Sequence, residues 1–281
     1  MDKTQQYYGG IEPLPILDAL QEHEEELATS GFTVLENVLA DSSLGEWRGR
    51  IDFTYQAQEA EFGGRDALAS IGEQDLCRAP LLYDKSFISM ATESRVLALV
   101  QRVLGDWYIL NLQNAIINRP QERHHQSAWH RDLPYQNWTS SRPLALGALF
   151  AIDPFTVETG GTIVLPHSHR RDVMPSEAYI RKHAASVPVS AGSVLIFDAM
   201  LFHRAGENLS GHIRRGVNHL YTIPLLKQQY DFPLTLGNDC IADPAIRRLL
   251  GYESRVPKDA LEWRRGRVRR KNDSQHPTVM G

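Results

Sequence analysis

The stretch "SAWHRDLPYQNW", residues 127–138, places a histidine and an aspartate two positions apart, flanked by tryptophan, leucine and tyrosine. On a β-strand, residues i and i+2 point to the same face, so His130 and Asp132 converge on one point while Trp129 and Arg131 face away. An imidazole and a carboxylate are both strong metal ligands, but two donors do not make a site. The rest of the chain has to supply the others.

His203 is the best third donor. It follows the apolar run "GSVLIFDAMLF" (192–202), which reads as a strand through a core, and precedes "RAGENLSG" (204–211), where Gly206, Asn208 and Gly211 favour a turn. A histidine at the end of a buried strand sits at a barrel mouth. Two imidazoles and one carboxylate leave open positions on one face of a metal, a set suited to non-haem Fe(II) and dioxygen. Either motif alone is more often incidental, an H-x-D by chance and a surface histidine by hydrogen bonding. Arg214 changes the balance, because it opens the next strand, "RRGVNHLYT" (214–222). If that strand returns antiparallel, its guanidinium enters the same cavity and can grip a carboxylate through two parallel hydrogen bonds. Metal ligands with a buried carboxylate clamp describe a 2-oxoglutarate site.

Around these residues the chain divides by pattern. The first part reads as helical with one early strand: "PILDALQEHEEELATSG" (15–31) has near-helical apolar spacing and a glycine stop, "FTVLENVL" (32–39) is strand-like, and "SSLGEWRGRIDFTYQAQEAEFGG" (42–64) is a second helix. Two shorter helices follow up to Gly105. From residue 107 come short β-rich runs bounded by Gly, Pro, Asn or Asp: "WYILNLQNAIINR" (107–119), "LALGALFAID" (144–153), "GTIVLP" (161–166), "GSVLIFD" (192–198) and "GVNHLYTIP" (216–224). Strands at such close intervals suggest a double-sheet barrel. The expectation is a single domain over 1–281, mainly β with flanking α-helices. Its helical part covers about 1–105, its barrel about 107–225, and a helical, basic tail about 240–281.

Composition narrows the partners. The chain has 281 residues, 42% of them hydrophobic, and a formal net charge of −4. That balance does not suit a nucleic-acid-binding domain, which carries a strongly basic face. No apolar run approaches the roughly 20 residues needed to span a bilayer, and the start lacks a charged-then-apolar leader pattern. Two distant cysteines, Cys77 and Cys240, make neither a disulfide framework nor a zinc ribbon. A cytoplasmic protein acting on a small molecule is expected, with no nucleic-acid or membrane partner.

The segments "WHRDLPY" (129–135), "FAIDPFTVETGGTIVLPHSHR" (150–170) and "FHRAGENLSGHIRR" (202–215) together resemble the phytanoyl-CoA dioxygenase (PhyH-like) family of Fe(II)/2-oxoglutarate oxygenases, over about residues 107–222. The resemblance implies a double-stranded β-helix (jelly-roll, cupin-like) barrel with His130, Asp132 and His203 as iron ligands. It implies that Arg214 binds the distal carboxylate of 2-oxoglutarate, and that Gln113 lies near the cosubstrate, as a glutamine does in relatives such as ectoine hydroxylase. Asn118 and Thr162 are further candidate cosubstrate contacts, and all three read equally well as ordinary ladder or turn residues. Fe(II), 2-oxoglutarate and O2 are the cofactors so implied, with succinate and CO2 released. Two departures stand out: Ala205 occupies a position where relatives often carry serine, and His167 replaces the glycine of a "PGSH" turn. His167 and His169 are read as turn residues. Halogenating relatives lack the carboxylate that Asp132 supplies here, so oxygen insertion is the implied outcome.

Arg123, Arg131, Arg142 and Arg204 cluster in sequence near the metal segments, as either a solvated rim or an anion-recognising entrance. Strand alternation turns Arg131 and Arg204 away from the metal, which leaves Arg142 as the better substrate contact. Tyr135 is a candidate aromatic wall, with Tyr7, Tyr8 and Trp138 behind it. The leading expectation is hydroxylation of a small polar, anionic metabolite. A cupin-type isomerase or lyase and a non-catalytic ligand-binding barrel are the alternatives.

Overall fold

The run "LALGALFA" offers solvent no polar side chain, and the fold buries it almost whole. The structure is a computed structural model describing residues 13, 15–122, 125–133 and 136–275. The chain divides into two units, residues 1–230 and 231–281.

In the first unit, β4 (Ala145–Ala151) is buried at every position. It lies inside an antiparallel six-stranded sheet, between β7 (Val194–Asp198) and β9 (Arg214–Thr222). Beyond β7 comes β1 (Phe32–Leu35), and beyond β9 come β3 (Ile109–Asn118) and then β2 (Leu76–Arg78). A second sheet has the order β6 (Ala185–Ser186), β5 (Thr162–Val164), β8 (His203–Ala205). All six strands expected from sequence are present. The three that sequence did not announce, β2, β6 and β8, are too short to show an alternation.

The sheets face each other across a core that includes Ile116, Leu149, Leu195 and Phe197 from the large sheet and Val164 from the small one. Burying each such side chain contributes about 1.5–3 kcal/mol. Gly147 is Phe197's partner across β4 and β7, and a Cβ there would lie 2.3 Å from the phenyl ring. The missing side chain lets Phe197 lie flat, with its ring centroid 4.7 Å from that of His203. The jelly roll thus builds a dry wall directly behind one metal-ligand candidate.

Helices cover the other face of the large sheet. Arg215 reaches α2 (Asp41–Phe62) through two 2.8 Å hydrogen bonds to Asp52. Tyr221 donates its hydroxyl to Ala91 O at the end of α4 (Phe87–Ala91). An amphipathic α5 (Ser94–Leu104) buries Val96, Leu99 and Val100, and its preceding Glu93 side chain accepts from Val96 N. The first helix, α1 (Gln21–Ser30), starts later than its apolar spacing suggests, because the Asp18 carboxylate accepts the N–H groups of Leu20 and Gln21. In the second unit, Pro244 opens α8 (Pro244–Leu249) with Asp243 capping it, and the basic tail forms α9 (Ala260–Gln275). Among the described residues, no helix is long and apolar enough to cross a membrane.

Candidate active site

His130 is held by a single antiparallel bridge to His203, with reciprocal backbone bonds of 3.0 and 3.1 Å. No longer strand forms around it; two residues on, Asp132 N donates to Ala199 O at 3.1 Å. The i, i+2 geometry survives this bend. One donor atom from each of His130, Asp132 and His203 lies within 4.8 Å of the others. Asp132 Oδ1 is 3.5 Å from His203 Nε2 and 4.0 Å from His130 Nε2. Each imidazole donates Nδ1–H to a carbonyl two residues earlier, Ala128 at 2.9 Å and Leu201 at 3.0 Å. A carbonyl can only accept, so in the neutral rings both Nε2 lone pairs point at the shared centre, the arrangement a metal-binding histidine needs.

The electrostatics agree with a cation site. Burial and the charge of His203 lower the His130 pKa, against the opposing effect of Asp132. Burial pushes the Asp132 carboxyl up, yet the bond to His203, the two imidazole charges and the Asn218 amide outweigh it and hold the group below its usual range. For His203 burial acts downward, and the bond and charge of Asp132 overcome it. A carboxylate that stays ionised between two imidazoles has the donor chemistry of a divalent iron site.

Arg214 begins β9 on the large sheet and faces the triad from the opposite side of the cleft. It is 2% exposed, donates to Gly160 O at 2.7 Å, and its guanidinium carbon lies 4.7 Å from the centroid of the Phe155 ring. Its Nε is buried without an acceptor. Burial pulls its pKa down to about 10, with the charge of Asp153 opposing, so it remains a cation at neutral pH. A buried guanidinium with one carbonyl partner among the described residues is short of acceptors, a need that a carboxylate would meet. Between it and the triad runs a narrow cleft of about 20 Å³, whose lining includes Thr162, Ala205 and Asn218. A dicarboxylic acid needs more room than that, so it would enter only with movement of the lining.

Other sequence expectations meet different outcomes. Thr162 lies in the cleft opposite Ala205, its β8 partner. Asn118 pairs with Arg214 in register, but its amide donates to Gly206 O and Gly160 O, so it braces the loop that Arg214 reaches. Gln113 needs correcting. Its position on β3 is odd-numbered relative to Asn118, so it points to the helical layer, where it bonds Leu81 N, Phe87 O and His219. Arg142 also needs correcting: it lines a separate cavity of about 610 Å³, with Asp198 and Met200, that no triad residue enters. Arg131 spends its guanidinium on the carbonyls of Met200, Ser168, Arg171 and Asp172. Arg204 lies over Trp129. Tyr135, Tyr7, Tyr8 and Arg123 lie outside the described residues. His167 is a turn residue with φ of 66°, the left-handed conformation that suits glycine.

Sequence reasoning missed Asn218 and Lys227. His130 and Asp132 open into a cavity of about 740 Å³ whose lining includes Asn114, Asn218, Gln126, Arg78 and Lys227. Asn218 was within reach of alternation, since it lies four residues after Arg214 on one strand face. Lys227 carries no such signal, being in a loop after β9.

A jelly roll with two histidines and one carboxylate at its mouth, and a buried arginine beside them, defines a non-haem iron, 2-oxoglutarate-dependent enzyme of the oxygenase type. The chain belongs to the phytanoyl-CoA dioxygenase (PhyH) family, which it matches across residues 27–216, and its cofactors are Fe(II), 2-oxoglutarate and O2. Among similar proteins is the uncharacterized protein Rv1501 of Mycobacterium tuberculosis, 36% identical over 87% of this chain and 91% of its own. An ectoine dioxygenase of Nocardia farcinica is 24% identical over 73% of this chain and 82% of its own. The solved epimerase SnoN, in complex with Fe3+, alpha ketoglutarate and nogalamycin RO, shares the fold with a TM-score of 0.57. It is 18% identical, over 80% of this chain and 93% of that one.

Proposed function

We propose that the protein hydroxylates a small polar, anionic metabolite, coupling the oxidation to conversion of 2-oxoglutarate into succinate and CO2. The observation that carries this reading is the buried Arg214, a cation with no carboxylate partner among the described residues, facing the His130, Asp132 and His203 donors across the narrow cleft. An isomerase or lyase working without 2-oxoglutarate would leave that charge buried to no purpose. Iron(II), when bound, supplies the activation of dioxygen. The protein's part is to bind, orient and keep dry. His130, Asp132 and His203 hold the metal, Arg214 grips the distal carboxylate of 2-oxoglutarate, and the Thr162 hydroxyl is placed to donate to the same molecule. Phe197, Leu149 and Ile116 wall the cleft against water. SnoN is an epimerase on this fold, so product analysis must accompany any turnover assay.

Anion preference rests on the larger cavity. Of its cations, Arg78 is held by Glu73 and Arg131 by backbone carbonyls. Lys227 is exposed at the rim, with no ion pair among the described residues. Its backbone is pinned by the Asn111 amide at 3.0 Å, so its position is defined. The test is succinate formation by the Fe(II)-loaded protein with a panel of small carboxylates, phosphates and their neutral amide or alcohol analogues. Anionic members should stimulate turnover, and Lys227→Ala should raise their KM more than it lowers kcat. Stimulation by neutral members alone would overturn the substrate class, and no succinate with any member would overturn the hydroxylase reading.

A further inference from the structure

Asp132 shows two different environments at its two oxygens. Oδ1 faces both imidazoles, at 3.5 and 4.0 Å. Oδ2 is turned away and accepts the Asn218 side-chain N–H at 3.3 Å. The amide has no freedom in this, because a carboxylate only accepts and the N–H end must face it. Asn218 Oδ1 therefore points the other way, buried and without a partner among the described residues. A strand position that leaves a buried carbonyl unsatisfied is poor for stability alone. Asn218 also lies in the lining of both the large cavity and the narrow cleft, at their junction.

We propose that Asn218 is a positioning residue that keeps Asp132 a one-oxygen ligand, so that one coordination position stays open for dioxygen. The coordination count gives the reason. Two imidazoles and one carboxylate oxygen would fill three positions of a six-coordinate metal, and 2-oxoglutarate bound through two oxygens would fill two more. If Asp132 turned Oδ2 inward as well, it would take the last position. The Asn218 amide holds Oδ2 by a charge-assisted hydrogen bond, and partners of this kind typically alter metal-site properties 10–100-fold when removed. Leu149 and Asn114, its partners across β4 and β3, fix the strand that carries it. The proposal rests on the triad reading above and concerns how the triad is held.

Nitric oxide binds iron(II) where dioxygen does, and gives a signal by electron paramagnetic resonance without any turnover. It displaces a coordinated water readily and a carboxylate oxygen poorly. The experiment titrates nitric oxide into the protein loaded with Fe(II) and 2-oxoglutarate, comparing wild type with Asn218→Leu. The leucine variant should still bind iron and 2-oxoglutarate but lose nitric oxide affinity by about tenfold or more. Asn218→Ser, whose hydroxyl stops short of Oδ2, is the second variant if leucine impairs folding, with the same loss expected. Equal nitric oxide affinity in wild type and a folded variant overturns the proposal. A wild-type protein that binds no iron would instead overturn the triad reading, a result visible before any variant is made.

Discussion

A guanidinium buried with one hydrogen bond among the described residues, as in Arg214, weakens the ligand-free protein that carries it. Replacing it with an apolar side chain of similar length should remove that burden. Arg214→Met is expected to raise stability without 2-oxoglutarate by about 1–3 kcal/mol, and to abolish the further rise that wild type shows on adding it. Thermal melts with and without 2-oxoglutarate test both parts; a variant still stabilised by the ligand would remove Arg214 from its role. A second residue effect concerns pH. Burial raises the Asp198 pKa to about 6, above the ordinary 3.8. Between those values the folded chain holds a proton that the unfolded chain has lost, so this group lowers stability as pH rises through the window. The loss is then constant above pH 6, on the order of 3 kcal/mol. Burial lowers His169 to about 4, which gives the opposite slope between 4 and 6.5 and hides the first. Asp198→Asn should expose it, raising the melting temperature at pH 7.5 while changing it little at pH 4.

At the scale of elements, β9 carries different work on its two faces. Arg214 faces the cleft, and Arg215 faces away, as alternation requires, to bind Asp52 on α2 and Asp153. Asp153 also takes Arg48 of α2, so one charge cluster fastens the helix to the sheet. Arg215→Ala should lower stability by about 2–4 kcal/mol, the half-exposed Asp52 keeping the figure below that of a fully buried pair. The 2-oxoglutarate affinity of the folded fraction should stay within twofold of wild type by calorimetry; a larger loss would mean that α2 shapes the cleft. The same alternation explains what the sequence made legible. His130, Asp132 and His203 were readable because two of them share a strand-like spacing and the third ends an apolar run. Asn218 was equally available by counting from Arg214. Gln113 was misplaced because its own strand does not say which face looks inward. Only the pairing of Asn118 with Arg214 sets that parity. Arg142 was misplaced because it follows a loop, where spacing carries no direction.

Over the whole molecule, the fold class followed from the order of apolar runs, whereas the lining of the large cavity did not. Lys227, Arg78 and Gln126 come from three separate loops or edges, and only tertiary structure unites them. The reciprocal backbone bonds between His130 and His203 join segments far apart in the chain. Such a contact costs loop-closure entropy that nothing local repays, so it is expected to form late on the route from the unfolded chain. The metal donors should then be unassembled in the rate-limiting species for folding. A bound divalent ion should therefore leave the refolding rate unchanged and act on the escape from the native state. Stopped-flow chevrons with and without Co(II) should share one folding arm, while the unfolding arm drops as metal is added. In kinetic terms the metal would be a latch on a door already shut, lengthening the lifetime of the native protein without hastening its arrival.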